Sequence, residues 1–106
     1  MISISTERKS GGYVLAACGH AGTAPHGEDL VCAAVSMLVQ TAAAIIRKAK
    51  EEGRASGGCI YLEEGDSVLQ CYTMDPVTDL MLRGVETGFI LLAKDFPAAV
   101  KYEKKM

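Results

Sequence analysis

Apolar and polar residues alternate through ISIST (2–6) as in a half-buried strand, RKSGG supplies a turn, and YVLAACGH (13–20) returns as a second strand. This predicts an N-terminal hairpin. Residues 29–52 contain neither Gly nor Pro, are rich in Ala, Leu, Met and Gln, and stop at Gly53, which predicts a long helix. Such a helix would run roughly 36 Å. Its first two-thirds, LVCAAVSMLVQTAAAII, carry no charge, so it is expected to be covered on more than one side, while RKAKEE at its end is solvated. CIYLEE (59–64) and SVLQCYTM (67–74) flank a Gly65-Asp66 turn and predict a second hairpin. Val77, Leu80, Met81, Val85, Phe89, Leu92 and Phe96 then recur at three and four, with Asp79, Arg83, Glu86 and Lys94 opposite. That periodicity predicts an amphipathic helix packed by one face. AVKYEK (99–104) is short enough for a closing edge strand. The order is ββαββαβ, an α+β domain with two helices packed on a mostly antiparallel sheet.

At 106 residues, 49% of them apolar, the chain has material for one core and is read as a single domain over 1–106. No linker, repeat or low-complexity block divides it. A net charge of −2 with scattered Lys and Arg gives no footprint for nucleic acid or an anionic membrane. MISISTERKS lacks the charged start and apolar centre of a signal peptide, and no long apolar stretch without polar interruption suggests a spanning helix. Cytoplasm is the expected compartment. Cys18, Cys32, Cys59 and Cys71 form no CxxC pair, and thiols are expected rather than bridges.

The segment GHAGTAPHGEDLVCAAVS (19–36) holds both histidines and one cysteine with glycines between them. His20 falls at a strand end and Cys32 in the first turn of the long helix, places where chains commonly build sites. With Asp29 as N-cap, Cys32 is N3, where backbone N–H groups and the positive end of the macrodipole favour a thiolate. An imidazole nearby can take the thiol proton and hold the ion pair, giving a nucleophile near neutral pH. Asp29, three residues before Cys32, and Ser36, four after it, share its helix face. Against this stands the ordinary fate of a lone Cys in an apolar helix, a small core residue. Cys18, His20, His26 and Cys32 could also be set out as four metal ligands, but neither a paired-cysteine knuckle nor a His-x3-His spacing is present, and no metal or cofactor is expected.

GHA (19–21), a glycine-containing loop and GEDLVCAAVS (27–36) together resemble the signature of the ribosomal-processing cysteine protease family Prp, also called YsxB-like proteins. The length, the motif's place after a first hairpin, the alanine-rich helix and the amphipathic second helix are similar too, so the resemblance spans the chain. It implies a cytoplasmic endopeptidase that removes the short N-terminal extension of a large-subunit ribosomal protein precursor, cutting after a phenylalanine-containing motif. It also implies a homodimer, for which the charge-free face of the long helix is an independent reason. By this resemblance His20 is the catalytic histidine and Cys32 the nucleophile. Ser36 matches a recurrent serine and Asp29 the acidic residue before the LVC segment, both in supporting roles. Gly19 and Gly27 match glycines that free the loop. Leu30 stands where the family usually has Ile, and His26 matches no position of the pattern. Residues 21–28, with Gly22, Pro25 and Gly27, are read as a gate that orders over extended substrate. The competing reading is a non-catalytic ribosome-associated or scaffold protein of the same fold.

Overall fold

The computed structural model describes residues 1–20 and 30–105. Strands β1 (Ile2–Lys9) and β2 (Gly12–Gly19) form the expected hairpin, in register from Ile2 opposite Gly19 to Lys9 opposite Gly12. Its two-residue turn, Ser10-Gly11, has φ of 55° and 84°, the positive values that match a tight turn to the strand twist.

Helix α1 (Leu30–Glu51) follows, then the short strand β3 (Ala55–Ser56), β4 (Ile60–Glu63), β5 (Asp66–Cys71) and a second short strand β6 (Thr73–Met74). Helix α2 (Pro76–Asp95) and β7 (Val100–Lys105) complete the order. The main sheet runs β4-β5-β2-β1-β7, antiparallel except where β7 lies parallel to β1 along the edge. The α+β architecture, the mostly antiparallel sheet and the closing edge strand are as expected.

The segment 67–74 differs from the single strand predicted. It breaks at Tyr72, whose N–H donates to the Ser56 carbonyl at 2.7 Å, and β6 then pairs with β3 as a separate two-stranded ribbon. The hairpin turn also falls one residue early, on Glu64-Gly65, with Asp66 already in β5.

The core lies between one sheet face and the two helices. Ile4, Leu15, Leu69 and Val100 project from the sheet toward Val35, Val39, Ala42, Ala43 and Ile46 of α1 and Leu82, Val85 and Phe89 of α2. The alanines allow close approach. Where the helices meet, Leu38 of α1 lies over Gly88 of α2, so near that a Cβ there would come within 2.8 Å of a Leu38 methyl. Burying these side chains is worth about 1.5–3 kcal/mol for each large aliphatic or aromatic residue.

Two expectations about the helices are corrected. Helix α1 is covered along one stripe, not on several sides: Val31, Val35, Val39, Ala42, Ala43, Ile46 and Ala49 are buried, whereas Leu30 is 82% exposed and Met37 is exposed as well. By length and composition alone α1 could cross a membrane, although Ser36, Gln40 and Thr41 interrupt its apolar run. Here its buried stripe builds the core of the domain.

Helix α2 is rotated from its predicted face. Its buried residues are Thr78, Leu82, Val85, Glu86 and Phe89, and Val77, Leu80, Met81 and Phe96 face outward. The reason is Glu86, a carboxylate only 4% exposed that binds Arg8 at 2.8 Å and accepts from the Tyr13 hydroxyl at 2.8 Å. Arg8 also pairs with Asp79 and lies 5.0 Å from the centre of the Tyr13 ring. The first hairpin thus supplies partners for a charge that the helical pattern assigns to solvent. At the start of α2, Asp75 caps the helix by accepting from the Thr78 N–H at 2.9 Å, with Pro76 in the first turn.

Candidate active site

The exit of β2 and the entry of α1 meet at one end of the sheet. β2 is paired on both sides there: Cys18 is opposite Ser3 of β1 and Asp66 of β5. Gly19, by the resemblance one of the glycines that free the substrate-gating loop, is the last residue of β2. Its φ is +101°, and a Cβ would fall 2.2 Å from the Met1 carbonyl oxygen, so no other residue fits without displacing backbone.

His20 leaves the strand directly after it, and its backbone is held: its carbonyl accepts from the Met1 α-amino group at 2.6 Å. The imidazole is exposed at the mouth of the site. Its ring rests on the tip of the β4–β5 hairpin, where a Cβ on Gly65 would lie 2.8 Å from Nε2 and 3.0 Å from Cε1. The Gly65 carbonyl accepts from the Gly19 N–H at 2.9 Å, which ties the tip to the strand end.

Cys32 is the third residue of α1 and is half-buried. Ser36 stands one turn further on and is exposed. His20, Cys32 and Ser36 line one cleft of about 720 Å³, together with Gly65, Leu62 and Gln40. That volume is in the range of a small-ligand or short-peptide site. The cleft is bounded by the helix on one side and by the strand end and hairpin tip on the other. Asp29, His26, Gly22 and Gly27, and with them the proposed gate, lie outside the described residues.

The hairpin tip is the part of the site that sequence reasoning missed. Glu63, Glu64 and Asp66 add carboxylates to the cleft wall beside Gly65. The available signal was the acidic EEGD turn, but its place next to His20 depends on β5 pairing with β2, which no local pattern reveals.

All four cysteines carry thiols. Cys71 is in the core, where burial pushes its thiol up, and it is a poor nucleophile for that reason. Cys18 and Cys59 are exposed. Among the described residues no group of three or more His, Cys, Asp or Glu is gathered as metal ligands.

A half-buried thiol at the start of a helix and an imidazole seated across the same cleft are the two groups that acyl transfer requires.

Comparison with known proteins bears on the family and the fold. The family described as cysteine protease Prp matches residues 1–101. No curated protein matches the chain by sequence. The fold is similar to that of the essential ribosomal processing protease Prp from S. aureus in complex with a covalently linked product peptide, with a TM-score of 0.78, 16% identity, and 99% of this chain and 100% of that one covered. The same S. aureus protease with a substrate peptide gives a TM-score of 0.65 at 16% identity, covering 99% and 100% of the two chains. SMU.848 from Streptococcus mutans gives 0.70 at 22% identity, covering 98% and 93%.

Proposed function

The chain belongs to the cysteine protease Prp family, and from that premise we propose that it is a ribosomal-protein-processing endopeptidase in which Cys32 is the nucleophile and His20 the general base. The observation that carries the assignment is the convergence of these two side chains on one cleft from different elements, the end of β2 and the first turn of α1.

His20 takes the Cys32 proton, and the thiolate sulfur bonds to the scissile carbonyl carbon. The carbonyl oxygen becomes an oxyanion facing the positive end of α1. As the C–N bond breaks, the imidazolium returns its proton to the leaving amine, and a thioester remains. Water, deprotonated by His20, then attacks the thioester, and the thiol leaves to restore the enzyme. Ser36 lines the cleft beside the nucleophile and Asp29 precedes it in sequence, so both support the site rather than react.

The substrate in this reading is a large-subunit ribosomal protein precursor, cut after a phenylalanine-containing motif in its N-terminal extension, in the cytoplasm. The product and substrate peptides held by the S. aureus protease support a peptide substrate. Incubation with the organism's own precursor, followed by intact-mass analysis, tests it. One new mass that matches removal of the extension, absent with Cys32→Ala, is expected; an unchanged precursor counts against the substrate.

The working unit in this reading is a homodimer. Val77, Leu80, Ile90 and Leu91 of α2 are exposed apolar residues, with Leu80 70% exposed, and a second copy packed on α2 would remove them from water. Sedimentation should give twice the chain mass, and Leu80→Glu should shift it toward one.

A further inference from the structure

The His20 ring is exposed, and the imidazole of an exposed histidine at a strand end ordinarily samples several rotamers. A general base has to be held in one. Backbone bonds fix where the His20 main chain emerges, but they leave its side-chain torsions free.

The tip of the β4–β5 hairpin lies against the ring. A Cβ on Gly65 would stand 2.8 Å from Nε2 and 3.0 Å from Cε1, tighter than ordinary contact, so the edge of the ring occupies the space that any other residue would fill. Gly65 also has φ of +76°, and its carbonyl holds the Gly19 N–H.

We propose that Gly65 is a positioning residue, the seat against which the His20 imidazole is held in its working orientation across the cleft from Cys32. This rests on His20 being the base, as argued above. The seat makes the β4–β5 hairpin part of the catalytic apparatus although its tip contributes no reacting group. A misplacement near 1 Å can cost on the order of 10²-fold in rate.

The positive φ gives Gly65 a second reason to be glycine, and a matched variant separates the two. Gly11 has φ of +84° in the other hairpin turn, and a Cβ there would meet nothing within 4 Å. Gly11→Ala therefore carries the backbone strain alone, whereas Gly65→Ala carries the strain and displaces the ring. Both variants, wild type and His20→Ala are compared as intact protein, by kcat and KM on a precursor peptide and by the rate of iodoacetamide modification of Cys32 read by peptide mass. The expected result for Gly65→Ala is a kcat lower by at least ~10-fold with KM within about threefold. Its Cys32 modification at neutral pH should slow toward the His20→Ala rate, and Gly11→Ala should stay near wild type in both.

Gly65→Ala indistinguishable from Gly11→Ala, while His20→Ala abolishes cleavage, overturns the seat and leaves the function standing. His20→Ala with wild-type cleavage overturns the function and the seat with it. If Gly65→Ala does not fold, the wild-type protein still decides: cross-relaxation between the His20 Hε1 and the Gly65 Hα protons supports the seat, and its absence overturns it.

Discussion

The hydroxyl of Tyr13 in β2 donates to the Glu86 carboxylate of α2 at 2.8 Å, at a point where both side chains are removed from water. Burial, and then the charge of Glu86, raise the Tyr13 phenol far above its ordinary range, so it stays a donor at every working pH. Removing the acceptor leaves Tyr13 and Arg8 facing an empty space in the core. Glu86→Ala is expected to cost about 3–5 kcal/mol, the usual penalty for breaking a buried pair. Glu86→Gln keeps an acceptor and should cost about 1–3 kcal/mol. Thermal unfolding measures both, at about 4–8 °C per kcal/mol for a domain of this size. Equal Tm values for the two variants would show that the carboxylate charge accounts for the whole effect and that the shape and acceptor kept by Gln contribute nothing.

Acid should weaken the join between α2 and the rest of the domain. The Thr78 bonds hold Asp75 below the ordinary carboxylate range. Burial pushes Asp79 up, but its bonds to Arg8 and Arg83 outweigh this and hold it low as well. Since both are lower in the folded chain than in the unfolded one, their contribution is complete above about pH 4. It is lost as pH falls through the folded values. Tm measured from pH 7 to pH 2 should therefore hold on a plateau and then decline. Asp79→Asn should lower the plateau and shallow the decline; a decline of unchanged steepness would remove Asp79 from the account.

Cys32→Ala and Cys32→Ser should fold as the wild type does, since the side chain is only half-buried, and cleave nothing. Alanine offers no nucleophile, and a serine hydroxyl is far less acidic than a thiol in the same place. Ser36→Ala should slow turnover without abolishing it. Precursor cleavage followed by mass, with circular dichroism as the check on folding, tests all three; a folded Cys32→Ala that cuts at the wild-type rate would refute the assignment.

The two histidines should separate cleanly. His20→Ala is expected to reduce kcat by at least ~10²-fold, the usual scale for loss of a general base. His26→Ala should leave the chemical step nearly intact and act mainly on substrate affinity. Modification of the four thiols by iodoacetamide gives a second reading without substrate. Cys18 and Cys59 are more exposed than Cys32, so access alone would have them react first. Faster reaction of Cys32 at neutral pH, lost in His20→Ala but kept in His26→Ala, is the expected outcome. The reverse pattern would transfer the base to His26.

Local pattern was enough to find both hairpins, both helices and the edge strand, and with the family resemblance it picked out His20, Cys32 and Ser36, which line one cleft. These depend on periodicity or on a short run of sequence around a helix start. What escaped depends on distant partners. Glu86 reads as solvated because it is charged and falls outside the apolar repeat of the helix, and its burial is set by Arg8 and Tyr13 more than seventy positions earlier. The break at Tyr72 depends on a carbonyl at Ser56. Gly65 reads as an ordinary turn glycine until strand pairing brings it beneath His20. In each case the deciding contact joins separate elements and is invisible in the local pattern of either one.

His20 is carried by the sheet and Cys32 by the helix layer packed on it. Neither layer holds both groups, so no amount of intact secondary structure is sufficient for the pair to exist. Partial denaturation that loosens the core while leaving strands and helices formed would silence the thiol first. Turnover is then an internal gauge of how tightly the two layers are docked, and it should fall along a denaturant series ahead of the far-ultraviolet dichroism.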